Sequence, residues 1–417
     1  MRPRWRARRR RRKRAEAGAM AFVRASLPAL ITGGAGDDPA GILTYTVVGA
    51  TTGFSQLWLI LLSTPMLAAA NSMAARVALA AKDGLAAVIR KRYGRTASMV
   101  IVLALAAANI ATISADAAGV AAALEMVTGI RWEWLLPLIL AVLLLVLQEG
   151  YTRVKRVLVS LSAVLLAYVF AALLAHPEWP AVFKATFLPH VSTQRAWLVA
   201  SLGILGTTVS PYLLFWQAGE EIEELQEGII IQANTSDAGV WLGMLFSNLI
   251  AFFIVVAAAA TIHSQGGQIQ TVADAAQALA PLGRVGQALF ITGFLAAGLL
   301  ALPVLAGSTA YAVAEAFGWP EGLGAAKAHA RGFYAVLVGS LLVGMGLALW
   351  PHFRPTEALF YSQVLDGALL PVLMLMLLVL SNDRRIVGEA TNPRWINLTA
   401  VMTIGLALLA NALALFG

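Results

Sequence analysis

The chain has 417 residues, of which 59% are hydrophobic and only 12% charged, with a mean hydropathy of +0.76. That balance excludes a soluble domain and is the composition of a polytopic membrane protein, with room for roughly ten to twelve helical spans of about 20 residues. Cysteine is absent, which removes disulfides, haem attachment and zinc–thiolate sites. The histidines (His176, His190, His263, His329 and His352) fall in expected loops or helix ends, and no pair has the helical spacing of a zinc site. No nucleophile–base constellation or phosphate-binding loop is present, so neither an enzyme nor a resident cofactor is expected.

The formal charge of +8 is concentrated at one end: ten of the 30 Arg and Lys lie between Arg2 and Arg14. The other 20 face 22 acidic residues, a balance of −2. Residues 1–25 therefore read as a disordered basic tail, and 26–417 as a single transmembrane domain. Three readings of the tail compete: a cytoplasmic arm that binds lipid head groups, a nucleic-acid-binding arm, or an untranslated stretch preceding a start at Met20. No aromatic interleaving or folded module accompanies it, so membrane lipids and not nucleic acid are the expected partner. No small-residue cleavage site ends a short apolar core, which excludes a secretory signal peptide.

The first membrane-length segment, 27–50, carries Gly36-Asp37-Asp38-Pro39-Ala40-Gly41 near its centre. Proline removes a backbone donor, glycine weakens a helix, and a carboxylate at the bilayer centre costs about 3 kcal/mol on insertion scales. Broken backbone survives in a bilayer only where it lines a cavity. Carboxylates beside loose carbonyls make such a cavity a cation site. Further spans are expected near 55–80, 97–123, 134–148, 157–175, 196–218, 240–262, 286–312, 333–350, 357–381 and 396–416, eleven in all.

The sixth span repeats the oddity of the first, with Gly206-Thr207-Thr208-Val209-Ser210-Pro211-Tyr212 at its middle. The two interruptions are five spans apart, so the second unit is inverted relative to the first. Paired interrupted helices in corresponding places of two halves point to a transporter site at the bilayer midplane. The architecture implied is all-α: one repeat over about 27–175, an inverted one over about 196–381, and a last span over 396–416.

Charge sets the orientation. With the N-terminus inside, the inner segments beyond the tail hold 15 basic residues and the outer segments five (Arg131, Lys184, Arg195, Arg284 and Arg354). The expected setting is a bacterial-type inner membrane with the C-terminus outside.

At the two interruptions the chain resembles the NRAMP family of divalent-metal transporters. Thr32 to Ile42 is similar to that family's Asp-Pro-Gly-Asn region, and Val209-Ser210-Pro211-Tyr212 to its Met-Pro-His region. Ala75-Arg76, Ser114-Ala115-Asp116, Ala280-Pro281-Leu282-Gly283 and Ser362-Gln363 agree in order and spacing, from about residue 25 onward. The resemblance implies a LeuT-like fold and divalent metal ions as cargo, with no obligate protein partner. Its departures matter as much. The asparagine position of the family is Gly41, its methionine position Ser210, its histidine position Tyr212, and an acidic position three after Asp116 is Gly119. The ninth span lacks the arginines of proton-coupled members.

A thioether is a soft ligand that favours transition metals, so its loss removes a filter against hard ions. Magnesium sheds water reluctantly and prefers one or two carboxylates with retained waters. Gly41 and Ser210 in place of larger side chains imply a wider, all-oxygen site, a pattern similar to the NRAMP-related magnesium-transporter branch, which points to Mg²⁺, with Mn²⁺ also carried. The missing histidine, glutamate and arginines imply weak or no proton coupling. The alternatives are a proton-coupled Mn²⁺/Fe²⁺ symporter of the ordinary type and an amine or amino-acid carrier on the same fold. Asp37 and Asp38 would repel a substrate carboxylate but attract an amine.

Asp38 is the leading metal ligand, with helix capping as its other role. Asp37, Gly41 (as room, not donor), Thr207, Ser210 and Gln363 complete the candidate metal set. Asn109 and Asp116, with Thr112 between them on one stripe of the third span, together with Tyr212 and Asp366, are candidates for a proton path or gating. Glu220, Glu221, Glu223, Glu224 and Glu227 follow the sixth span and read as a solvated polar face. The odd span count has a direct check: a reporter fused after Gly417 is expected to read outside, and a cytoplasmic reading contradicts the count.

Overall fold

A computed structural model describes residues 36–147, 163–226, 233–323 and 329–416. The basic tail, residues 27–35 of the first expected span and residues 157–162 of the fifth lie outside the described residues. The order is α1 (Pro39–Thr52), α2 (Leu57–Ala81), α3 (Leu85–Tyr93), α4 (Arg95–Thr128), α5 (Trp132–Val146), α6 (Ala167–Leu174), α7 (Trp179–Phe187), α8 (Arg195–Thr208), α9 (Pro211–Gln226), α10 (Ala233–Thr261), α11 (Val272–Ala275), α12 (Arg284–Phe317), α13 (Arg331–Ala348), α14 (Pro355–Asn382), α15 (Arg384–Val387) and α16 (Arg394–Phe416).

Among the described residues, eight stretches are helical, long and apolar enough to cross a membrane, and a ninth is reached if α6 and α7 count as one bent span. They correspond to the second, third and sixth to eleventh expected spans. The fourth expected span appears as the 15-residue α5. Helices α4 and α12 have 34 residues each, or about 50 Å at 1.5 Å per residue, so both outrun a hydrocarbon core of about 30 Å. Sequence reading ended them early because their last turns are only mildly polar. Each stops at a glycine in the left-handed region, Gly129 (φ +67°) and Gly318 (φ +73°), which closes the helix without a Cβ clash.

The outward faces are apolar. Leu103 is 64% exposed, Leu138 56% and Leu398 63%, which suits lipid contact and not water. The segment after α6, between the fifth and sixth expected spans, turns by 117° into α7. Pro180 opens this short helix, and Val182 and Thr186, one turn apart, bury its inner face.

Two packed cores frame the centre. One gathers α1, α2, α8, α10, α14 and α16, and the other the middle of α4 with α5, α9, α12 and α13. Helix α1 lies between α10, α14 and α8 and touches α4, so its N-terminal turn is enclosed from several directions. Helix α8 packs against α14 almost backbone to backbone. A Cβ on Gly206 would stand 1.9 Å from the Gln363 carbonyl oxygen, and one on Gly367 2.4 Å from that of Leu202. Gly206→Ala is therefore expected to lower stability by about 1–3 kcal/mol in thermal unfolding of the purified protein. Gly405→Ala, with nothing within 4 Å, is the control expected to leave it unchanged.

Candidate cation site

Helix α1 begins where the sequence requires it to begin. Proline cannot continue a helix from behind but suits its first turn, and Pro39 sits at the first helical position. Asp38 is the N-cap, extended at φ −68° and ψ 169°, and its carboxylate accepts a short hydrogen bond from the Gly41 amide. The neighbouring Ala40 amide donates to Asp116 Oδ1 of α4 at 2.9 Å. Two carboxylates from different spans thus hold the unpaired amides of one helix terminus. On its other oxygen, Asp38 Oδ2 accepts from the Tyr212 hydroxyl of α9 at 3.1 Å. Asp37 turns the opposite way. Its Oδ1 accepts from Ser247 of α10 at 3.1 Å, and its Oδ2 has no partner among the described residues.

The sixth span is interrupted over Val209 and Ser210, between the last residue of α8 and Pro211. Val209 leaves helical geometry at φ −113° and ψ 61°. Ser210 Oγ folds back to donate to the carbonyls of Gly206 (3.1 Å) and Thr207 (2.9 Å). The interruption is local, and Arg195–Glu223 still runs as one apolar stretch of 29 residues. Helix α8 is tied to α1 by Tyr45 and Thr208, whose hydroxyls lie 3.1 Å apart. The carbonyl end of α8, which carries partial negative charge, accordingly abuts the carboxylate-capped start of α1.

Gly41 departs from expectation. A Cβ there would lie 2.6 Å from Thr207 Oγ1 and 2.9 Å from Asp38 Oδ1. Its missing side chain does not widen the site; it lets α1 and α8 approach, and the Thr207 hydroxyl fills the space. Gly41 takes part through its amide, which steadies Asp38. Asn109, expected along a polar stripe, donates to Thr309 Oγ1 at 2.9 Å and so joins α4 to α12. Thr112 bonds back to the Ala108 carbonyl of its own helix at 3.1 Å.

Gln363 and Asp366 of α14 are buried at 0% and 1% exposure. Gln363 Oε1 and both Asp366 oxygens have no hydrogen-bond partner among the described residues. Asp116 and Asp38 meet the adjacent Ala40 and Gly41 amides of one helix turn. Among the described residues, however, no three acidic or histidine side chains converge tightly enough to hold one bare ion. The arrangement sets the Asp38 carboxylate between the Gly41 amide and the Tyr212 hydroxyl, with the Thr207 hydroxyl against Gly41 and Asp116 on the adjacent Ala40 amide. Asp37, Asp38, Ser210 and Gln363 are all sealed from solvent.

The acidic run after the sixth span is not a solvated face. Glu220 and Glu221 are buried, Gln217 donates to Glu221 Oε1 at 2.9 Å, and Glu223 accepts from the Tyr311 hydroxyl at 2.6 Å and from the Leu323 amide. Glu224 and Glu227 lie outside the residues whose side chains are described. The sequence reading took charge density for exposure, whereas α9 ends inside the protein against α12. It also missed Ser247, the partner of Asp37. The available signal was Ser247-Asn248 inside an otherwise apolar run, with Asn248 donating to Thr64 Oγ1 at 2.8 Å.

Residues 29–417 match the family described as natural resistance-associated macrophage protein-like, Nramp. The divalent metal cation transporter MntH of Verminephrobacter eiseniae is 26% identical over 404 residues, covering 92% of this chain and 87% of that protein. A crystal structure of a manganese transporter from Eremococcus coleocola is similar with a TM-score of 0.72 at 19% identity, covering 94% of this chain and 85% of that one. Mhp1, a nucleobase-cation-symport-1 family transporter in a closed conformation, is similar with a TM-score of 0.64 at 15% identity, covering 94% and 91%. At these identities the two structures speak for the fold alone.

Tyr212→Phe removes the hydroxyl that donates to Asp38 and leaves the ring in place. The substitution is expected to destabilise the metal-free protein by about 1–3 kcal/mol, as for loss of one hydrogen bond to a buried charged group. Thermal unfolding in EDTA measures it, and an unchanged midpoint would show that the bond contributes nothing.

Proposed function

Because this chain belongs to the Nramp family, we propose that it is a secondary transporter that carries divalent metal ions, Mg²⁺ and also Mn²⁺, across the membrane with weak or no proton coupling. The observation that supports this best is the junction of α1 and α8. A fully buried carboxylate, Asp38, stands there against the carbonyl end of a helix, with oxygen donors beside it and no thioether at Ser210. A cation placed between them is attracted from both sides. In this reading Asp38 is the first ligand, and the Thr207 carbonyl, Ser210 Oγ and Gln363 Oε1 are the neutral ones. Asp37, held by Ser247 away from Asp38, shapes the field and does not share the ion.

Hard, neutral oxygen donors and a single anionic ligand suit an ion that keeps part of its water. Tyr212 stands where the resemblance places a histidine, and a phenol cannot become cationic by taking a proton near neutral pH. The interior of α13 after Arg331 contains no arginine, which supports transport down the metal gradient. The names of the relatives favour Mn²⁺ as the principal cargo, and the same experiment separates this reading, with or without a coupled proton, from Mg²⁺ transport. The orientation follows the charge bias, with the N-terminus in the cytoplasm of a bacterial cell.

The test is flux in proteoliposomes. Entry of Mg²⁺, and competition by Mg²⁺ against Mn²⁺, are expected for the wild type, with no metal-driven acidification. Asp38→Ala is expected to abolish binding of both ions in isothermal titration. Mn²⁺ flux without Mg²⁺ flux or competition overturns the substrate assignment, and strong acidification overturns the uncoupled mechanism.

A further inference from the structure

A cavity of about 370 Å³ lies where α2 ends, between α3 and α15 and away from the central carboxylates. Val88 and Ile386 give it an apolar part, and Lys91, Arg92, Arg385 and Asp83 a charged one. The fold holds these cations in place. Arg92 Nε donates to Asp383 Oδ2 at 2.7 Å, which ties α3 to the turn between α14 and α15. Lys91 pairs with Asp83. Arg385 makes no ion pair among the described residues. Positive charge therefore stays in excess even when Asp383 is counted with Asp83. The height in the membrane is fixed by the helices. Both α2 and α14 stop here, at Ala81 and Asn382, and Asn382 donates to Asn397 at the start of α16 at 2.8 Å. Three spans thus end at one level, which is that of the lipid head groups and not of the hydrocarbon. Tyr93 and Trp395, both exposed at this end of the bundle, are the amphipathic rings that settle at that level.

We propose that this cavity binds the phosphate of an anionic phospholipid head group, with Arg385, Lys91 and the η groups of Arg92 as donors. Only the Nε of Arg92 is committed to Asp383 among the described hydrogen bonds, so the rest of its fork can face the cavity. A guanidinium meets two phosphate oxygens at once, and the lysine adds a point charge. Basic pockets between spans at the cytoplasmic surface suit such head groups. Under the orientation proposed above, this is the cytoplasmic leaflet. A free phosphate offers the same oxygens but nothing to cover Val88 and Ile386, whereas a lipid brings its glycerol. A bound head group adds a second tie between α3 and α15 beside the Arg92–Asp383 pair, and so stabilises the protein by mass action. The proposal does not depend on which ion is carried.

The test is isothermal titration of the full-length purified protein, in a nonionic detergent, with short-chain phosphatidylglycerol, short-chain phosphatidylcholine and inorganic phosphate. Saturable binding of phosphatidylglycerol is expected, with a higher thermal midpoint, and neither effect with phosphatidylcholine. Arg385→Gln and Lys91→Gln are each expected to weaken phosphatidylglycerol binding about fivefold, equivalent to about 1 kcal/mol. Lys184→Gln removes the same charge from α7, outside the cavity, and is expected to bind as the wild type does. Any contribution of the basic tail is common to all of these proteins. If Arg385→Gln does not fold, Lys91→Gln decides. Unchanged affinity in both cavity variants, or an equal loss in Lys184→Gln, overturns the proposal. Inorganic phosphate that binds as tightly as the lipid, and is weakened by the same substitutions, overturns the lipid as its source. Each of these failures leaves the transport reading intact.

Discussion

Two carboxylates hold the first turn of α1. Asp38 receives the Gly41 amide and Asp116 the Ala40 amide, so a helix that starts inside the protein has its free donors met by side chains instead of water. The rest of the centre depends on this clamp. It fixes where Asp38 points, brings α4 against α1, and allows Tyr212 to reach the second oxygen of Asp38 from α9. Without it, the start of α1 would be an uncapped terminus in a low-dielectric interior. A single short motif, Asp38-Pro39-Ala40-Gly41, therefore specifies a helix start, a fixed carboxylate and a contact surface for α8 at once.

Electrostatics at the centre is one-sided. Asp37, Asp38, Asp116 and Asp366 are buried without a paired cation among the described hydrogen bonds, while the basic residues seen in ion pairs lie near the surface, as with Arg92 and Asp383 at 2.7 Å. Such a centre is not an economical way to stabilise a fold, because buried charge is retained only when something offsets it. The proposed cargo is the offsetting charge. Family membership and the oxygen-rich junction of α1 and α8 converge on the same chemistry from independent directions.

Much of this was legible in the sequence because it follows from coarse physics. Apolar length located eight of the expected spans, and the misfit of Asp38, Pro39 and Pro211 with continuous helix located the centre. What could not be read was set by contact between segments distant in the chain. Gly41 reads as empty space until Thr207 is found occupying it. Asn109 reads as a path-lining group until Thr309 receives its amide. The glutamates after the sixth span read as solvated because charge normally seeks water, yet Glu223 is met by Tyr311 and by the Leu323 amide. In each case the deciding partner comes from another span, and one-dimensional periodicity carries no information about it.

The close approach of Gly206 to α14 bears on how such a protein could change shape. Where two backbones touch, no rotamers remain to rearrange, so sliding is blocked and only joint displacement is cheap. Helix α8, the first half of the sixth span, is thereby welded to α14. Helix α9, the second half, follows α8 through Val209 and Ser210, two residues whose torsions can absorb a rotation. A swing of α9 about that point would carry the Tyr212 hydroxyl away from Asp38 and loosen the carboxylate.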